Sequence, residues 1–121
     1  MNPEQPSNNK LKREQMHQKL NLESGEIDWS ELQRHFARGV VIAVSPALDL
    51  VEAALKFVED DRDTIENWLA MGQIKRADEE HAHRWNQNNA LFWAIVVAPW
   101  VLVQEQSQAT NKNVNSGGSA L

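Results

Sequence analysis

The stretch "ALFWAIVVAPWVLVQEQ", residues 90 to 106, decides the fold. From Ala90 to Val103 it carries no polar side chain, and two tryptophans and a proline lie inside it. A helix crossing a bilayer needs about 20 apolar residues, and this run is shorter and interrupted by Pro99, so a membrane span is not expected. Its β-branched residues favour a strand. An apolar strand without alternation belongs in a sheet whose two faces are both covered. Pro99 has no N–H to give to a ladder, so it must sit at an edge, bulge or bend. The residues after it leave a choice. Proline is well tolerated at the first position of a helix, whereas Val101 and Val103 favour continuing the strand.

Outward from this run the chain alternates helical and extended patterns. "KLKREQMHQKLNLES" has helical propensity with a thin stripe of Leu11, Met16 and Leu20, and Gly25 ends it. "DWSELQRHFARG" is better marked. Asp28 or Ser30 can cap its first turn, Asp28 and Glu31 have capping-box spacing, and Trp29, Leu32 and Phe36 share a face. "VVIAV", 40 to 44, reads as a buried strand, broken by Ser45-Pro46. "ALDLVEAALKFVEDD" returns to helical spacing at Leu48, Val51, Leu55 and Val58, with Asp49 and Glu52 spaced as a second box. "DRDTIENWLAMGQ" is a shorter helix with Ile65, Trp68 and Leu69 inward. Gly39 and Gly72 stand where helices stop. "QIKRA" fits a short strand, and "DEEHAHRWNQ" a polar helix with Ala82 and Trp85 inward.

The expected fold is therefore α+β: one domain over residues 10 to 105, a small sheet of two to four strands packed by four or five helices. Residues 1 to 9 and 106 to 121 are polar and are expected to be disordered. The N-terminus lacks the apolar core of a signal peptide, which points to a cytoplasmic protein.

Several of these segments resemble one known family. "IDWSELQRHFARGVVIAV", "LDLVEAALKFVEDD", "ENWLAMGQIKRA" and "FWAIVVAPWVLVQE" are similar to the small bacterial proteins grouped as domain of unknown function 2288. The resemblance runs from about Met16 to Glu105, and Pro99 to Gln104 is its most distinctive part. It implies a bacterial, cytoplasmic, single-domain protein and brings no catalytic or binding residues with it.

The composition removes several classes of chemistry. With 12 Lys plus Arg against 17 Asp plus Glu, the net charge is -5, which repels phosphate backbones and anionic membranes. Without cysteine there is no disulfide, thiolate nucleophile or cysteine-held metal. No Gly-x-Ser-x-Gly elbow or glycine-rich phosphate loop is present. No cofactor is expected.

Three polar groupings remain to be weighed. In "DEEHAH", His81 and His83 are two apart and diverge by about 200° on a helix, whereas Glu79 and His83 can share an ion. They make half a catalytic zinc site, which would need a further ligand such as His35 or His17. The plainer reading is a solvated helix start with acids on the N-terminal dipole. Glu59, Asp60, Asp61 and Asp63 form an acidic run, read as a solvated turn or as a docking patch for a basic partner. "FVEDDRDTIENWLAMGQIKRA" has the outline of a winged helix-turn-helix, but carboxylates on the reading helix oppose a phosphate backbone.

Among the five tryptophans, Trp29, Trp68 and Trp85 fall on inner helix faces and belong to the core. Trp93 and Trp100, with Pro99, are the interface candidates, because aromatic residues are enriched at interfaces. Taken together, the sequence favours a non-catalytic protein-interaction or adaptor module that docks or self-associates through this region. A small metal-assisted hydrolase and a winged-helix DNA-binding protein are the alternatives.

Overall fold

In the computed structural model, residues 4–106 are described. The element order is α1 (Glu4–Glu23), β1 (Gly25–Asp28), α2 (Trp29–Ala37), β2 (Val41–Val44), α3 (Leu50–Val58), α4 (Arg62–Ala70), β3 (Ile74–Arg76), α5 (Glu79–Asn88), β4 (Leu91–Val97) and β5 (Trp100–Glu105). The five strands form one mixed sheet in the order β1-β4-β5-β2-β3. β2 and β5 run parallel, and every other pair is antiparallel.

Five strands exceed the expected two to four, for two reasons. The long apolar run is not one bent strand. It is a hairpin, β4 and β5, closed by Ala98 and Pro99 with a cis peptide bond between them. Proline fits there because a turn residue owes no N–H to the ladder. The segment after Pro99 is thus a strand, with Val97 opposite Trp100 and Phe92 opposite Glu105. The other addition is β1, "GEID", an edge strand that pairs Gly25 with Ala94 and Asp28 with Leu91.

Side chains alternate across this sheet, and both faces are covered. One face carries Ile42, Val44, Ile74, Ile95 and Leu102, packed under Leu20 of α1 and Leu50, Val51, Ala53, Ala54 and Leu55 of α3, with Ile65 and Trp68 of α4 at its margin. The other carries Val41, Phe92, Ala94, Val101 and Val103, packed under Trp29 and Leu32 of α2 and Trp85 of α5. Continuous apolarity in the central strands follows from this three-layer arrangement. On the second face Trp85 meets Phe92 edge-on at 4.9 Å between ring centroids and lies 5.9 Å from Trp29, which in turn meets Phe36.

Four helices stop by the same device. The chain turns left-handed at Gly39, Asp60, Gly72 and Asn89, with φ of 73°, 55°, 74° and 50°. After each, an N–H reaches five residues back: Val40 to His35, Asp61 to Lys56, Gln73 to Trp68 and Ala90 to Trp85. This paired closure satisfies carbonyls that a helix end would otherwise orphan. The glycines adopt the conformation freely, while Asp60 and Asn89 reach it against the steric preference of a side chain.

Some boundaries differ from expectation. The backbone of α1 already takes in residues 4 to 9, which the polar composition assigned to a disordered terminus. Gln106, placed with the polar tail, is tied to the sheet: its backbone donates to Leu91 O and its amide to Glu26. Residues 1 to 3 and 107 to 121 lie outside the described residues. Leu11, Val58 and Leu69, assigned to inner helix stripes, are exposed. Val58 ends its helix, Leu11 precedes the part of α1 that reaches α3, and Leu69 flanks an open cleft.

Candidate functional site

The caps that start the helices account for most of the conspicuous acids. Asp28 accepts from the Glu31 N–H at 2.9 Å and Glu31 answers on the Asp28 N–H, a complete capping box. Asp49 accepts from the N–H groups of Val51 and Glu52. Glu52 does not reach back and instead meets His17 of α1 at 3.3 Å, so the second expected box is only half formed.

α5 starts with a box that uses histidine. Asp78 accepts from the His81 N–H at 3.0 Å, and the Asp78 N–H meets His81 Nδ1 at 3.1 Å. When protonated, Nδ1 instead donates to Asp78 Oδ1, 2.9 Å away. The His81 backbone N–H chiefly, helped by its ring and Lys75, holds the Asp78 carboxyl at about 2, below the usual carboxylate range. His81 is thereby committed to the helix start and rests against the Trp85 ring. Glu79 and His83 are exposed on the same helix. Among the described residues, no three His, Asp or Glu side chains converge as a metal site would require.

Two of the four acids in the run 59 to 63 are paired. Glu59 pairs with Arg13 of α1 at 2.6 Å, and Lys56 lies near both Glu59 and Asp61. Asp61 caps α4 by accepting from the Thr64 N–H and hydroxyl, and these bonds lower its pKa. That leaves Asp60 and Asp63 without an ion pair among the described residues. The solvent side of α4 carries Arg62, Asp63 and Glu66, two carboxylates to one cation.

Asp60 borders a cleft. This is an open cavity of about 480 Å³ between the α3–α4 corner, β3 and the hairpin turn. Its apolar floor and walls come from Ile42, Phe57, Ile65, Leu69, Ile74 and Val97. Pro99 and Trp100 close one side, and Asp60 and Arg76 are the charged members. The Arg76 guanidinium lies 5.4 Å from the Trp100 ring centroid, a cation–π contact, and has no carboxylate partner among the described residues. Such a volume and lining match small-ligand and anchor-residue sites.

The structure therefore divides the interface candidates. Pro99 and Trp100 meet in the cleft together with Asp60. Trp93 stands on the same sheet face at the opposite end of the hairpin, opposite Gln104, and is 47% exposed. Arg76 and Leu69 join this cleft although neither is a site candidate by sequence. Arg76 is a lone cation in a short strand, and Leu69 has the spacing of a core residue.

Of the tryptophans assigned to the core, Trp29 and Trp85 are buried and Trp68 is half-buried. The Trp85 indole donates to Glu105 at 2.8 Å, and Glu105 also faces Arg84. The Trp29 indole N–H is buried without a hydrogen-bond partner among the described residues.

A family model described as "Protein of unknown function (DUF2288)" matches residues 15–105. Among solved structures, the chain is similar to the NMR solution structure of PA1075 from Pseudomonas aeruginosa. The two are 40% identical with a TM-score of 0.70, over 78% of this chain and 88% of that one. No curated protein matches the chain. No helix among the described residues is long and apolar enough to cross a membrane.

Proposed function

We propose, for a chain that belongs to the DUF2288 family of proteins of unknown function, that it is a bacterial cytoplasmic protein-interaction module without catalytic activity of its own. The observation that carries this reading is the cleft at the hairpin turn. It gathers Pro99, Trp100 and Leu69 around an apolar floor and leaves Asp60 on its border without an ion pair among the described residues. Interfaces are anchored by a few apolar or aromatic groups seated in such hollows, ringed by polar groups. A partner would seat an apolar side chain there, and Asp60 with Asp63 would favour a basic neighbour.

The test compares surface variants of the full chain. Leu69→Asp places a charge on the wall of the cleft at a position already 49% exposed. Leu22→Asp changes an exposed residue of α1 and serves as the control. Both variants are expected to keep the wild-type urea midpoint. A partner retained by the wild type and by Leu22→Asp, and lost by Leu69→Asp, supports the reading. A partner set identical for all three, or none for any, refutes it. Light scattering on the same samples shows whether the partner is a second copy of this chain.

A further inference from the structure

The two charged groups of the cleft are unlike the other charges near it. Glu59 and Asp61 have partners in Arg13, Lys56 and the α4 cap, whereas Asp60 and Arg76 have no ion pair among the described residues. They line the same cavity without an ion pair between them. Asp60 also holds a left-handed backbone position, φ 55°, where glycine would be unstrained. A side chain kept at such a position is a reason to look for a role beyond the turn. Arg76 is steadied on its side by the Trp100 ring.

We propose that this cleft binds a free α-amino acid with a large apolar side chain. The α-ammonium faces Asp60, the α-carboxylate faces Arg76, and the side chain lies among Ile42, Phe57, Ile65 and Leu69. The charges favour this ligand over simpler ones. A fatty or aryl acid satisfies Arg76 but sets a second anion near Asp60. An apolar amine has the converse fault. A partner's anchor side chain, which the interaction reading seats in the same cleft, brings no main-chain charge and meets Asp60 only through a basic neighbour. A zwitterion answers both at once. The size agrees, since an open cavity of about 480 Å³ has room for one amino acid.

The proposal goes beyond the interaction reading, and its test needs no partner protein. The ¹⁵N-labelled full chain is titrated in parallel with L-leucine and L-phenylalanine while the Trp100 indole cross-peak, assigned with a Trp100→Phe variant, is followed. At least one of the two is expected to move it saturably, with the Trp29 and Trp85 indoles unmoved. The N-acetyl and carboxamide derivatives of that amino acid, each lacking one charge, are expected to bind about tenfold more weakly, as for the loss of one charge-assisted contact. Asp60→Asn should abolish the discrimination against the N-acetyl form, and Arg76→Gln that against the amide. Retained peak dispersion shows that the variants are folded. Equal affinity for all three forms would reduce the cleft to an apolar patch and overturn the proposal. So would the absence of any saturable shift with both amino acids.

Discussion

Replacing Gln104 tests how the hairpin holds the rest of the sheet. The side chain leaves β5 on the face covered by α3, and its amide Nε2 donates to Ser45 O at 2.8 Å and Leu48 O at 2.7 Å. Those carbonyls lie in the connection from β2 to α3, just before the Asp49 cap. One amide group therefore ties β5 to the approach to the central helix. Gln104→Ala removes both bonds. At about 1 kcal/mol net each, with a further penalty for carbonyls left partly buried, the loss is about 2–3 kcal/mol. For a domain of this size that lowers Tm by roughly 10 °C or more.

Gln104→Glu is the sharper variant. It keeps the shape but replaces the donor with a carboxylate facing two carbonyl oxygens, so at pH 7 it should destabilise more than alanine. The folded state then favours the protonated acid, whose pKa is raised above its unfolded value. The stability tied to that proton is present below the unfolded pKa of about 4.3 and is lost as pH rises through the folded value. Urea unfolding at pH 7 and pH 4.5 with an unchanged m-value is the assay. Gln104→Glu should recover part of its deficit relative to wild type at the lower pH. If it matches wild type at pH 7, or if Gln104→Ala costs under about 0.5 kcal/mol, the bridge is not what positions α3.

Three further outcomes follow from the same geometry. Trp29→Phe loses no hydrogen bond and removes a buried unpaired N–H, so in urea unfolding it should cost less than Trp85→Phe, which forfeits the bond to Glu105. A carboxylate NMR titration should place Asp78 at about 2. Because its folded pKa is depressed, its contribution to stability is complete above the unfolded value near 3.9 and disappears as pH falls through about 2. Asp78→Ala should therefore weaken the dependence of stability on pH in that window, and an unchanged acid limb would contradict the cap. Asp60→Gly should raise stability by about 0.5–1 kcal/mol in urea unfolding by relieving the left-handed residue. A loss of stability would mean that the Asp60 side chain supports the fold rather than the cleft.

Local signals made much of this architecture legible. α2 is marked by an Asp–Glu box and a glycine stop, α4 by Asp61 and Gly72, and α5 by Asp78 with Trp85 at the right spacing. The unbroken apolarity of β2 and of the 90–103 run correctly implied a sheet covered on both faces. The hairpin was hidden because Ala98-Pro99 lacks the Asn-Gly or Asp-Gly signature of a tight turn. β1 was hidden because four residues, one a glycine and two acidic, are too few to show alternation. Its strand character comes from pairing with β4, not from propensity.

The cleft was less legible than the fold. It draws on four separated stretches: Ile42, the α3–α4 corner, Ile74 with Arg76, and the turn from Val97 to Trp100. Trp100 and Pro99 could be singled out by residue type. Asp60 was visible only as one acid among four, and nothing in the sequence showed that Arg13, Lys56 and a helix cap would occupy two of its neighbours. Arg76 carried no local signal. Its place beside Trp100 exists only once β3 and β5 flank β2 in the sheet.

The central claim is that the hairpin-turn cleft is where this protein meets its partner. The most direct measurement puts a photo-crosslinking amino acid at position 69 in the full chain, expressed in its native host, with position 22 as the control. Illumination should produce one discrete higher-mass adduct from position 69 and none from position 22. Adducts of the same pattern from both positions, or none from position 69, would contradict the account.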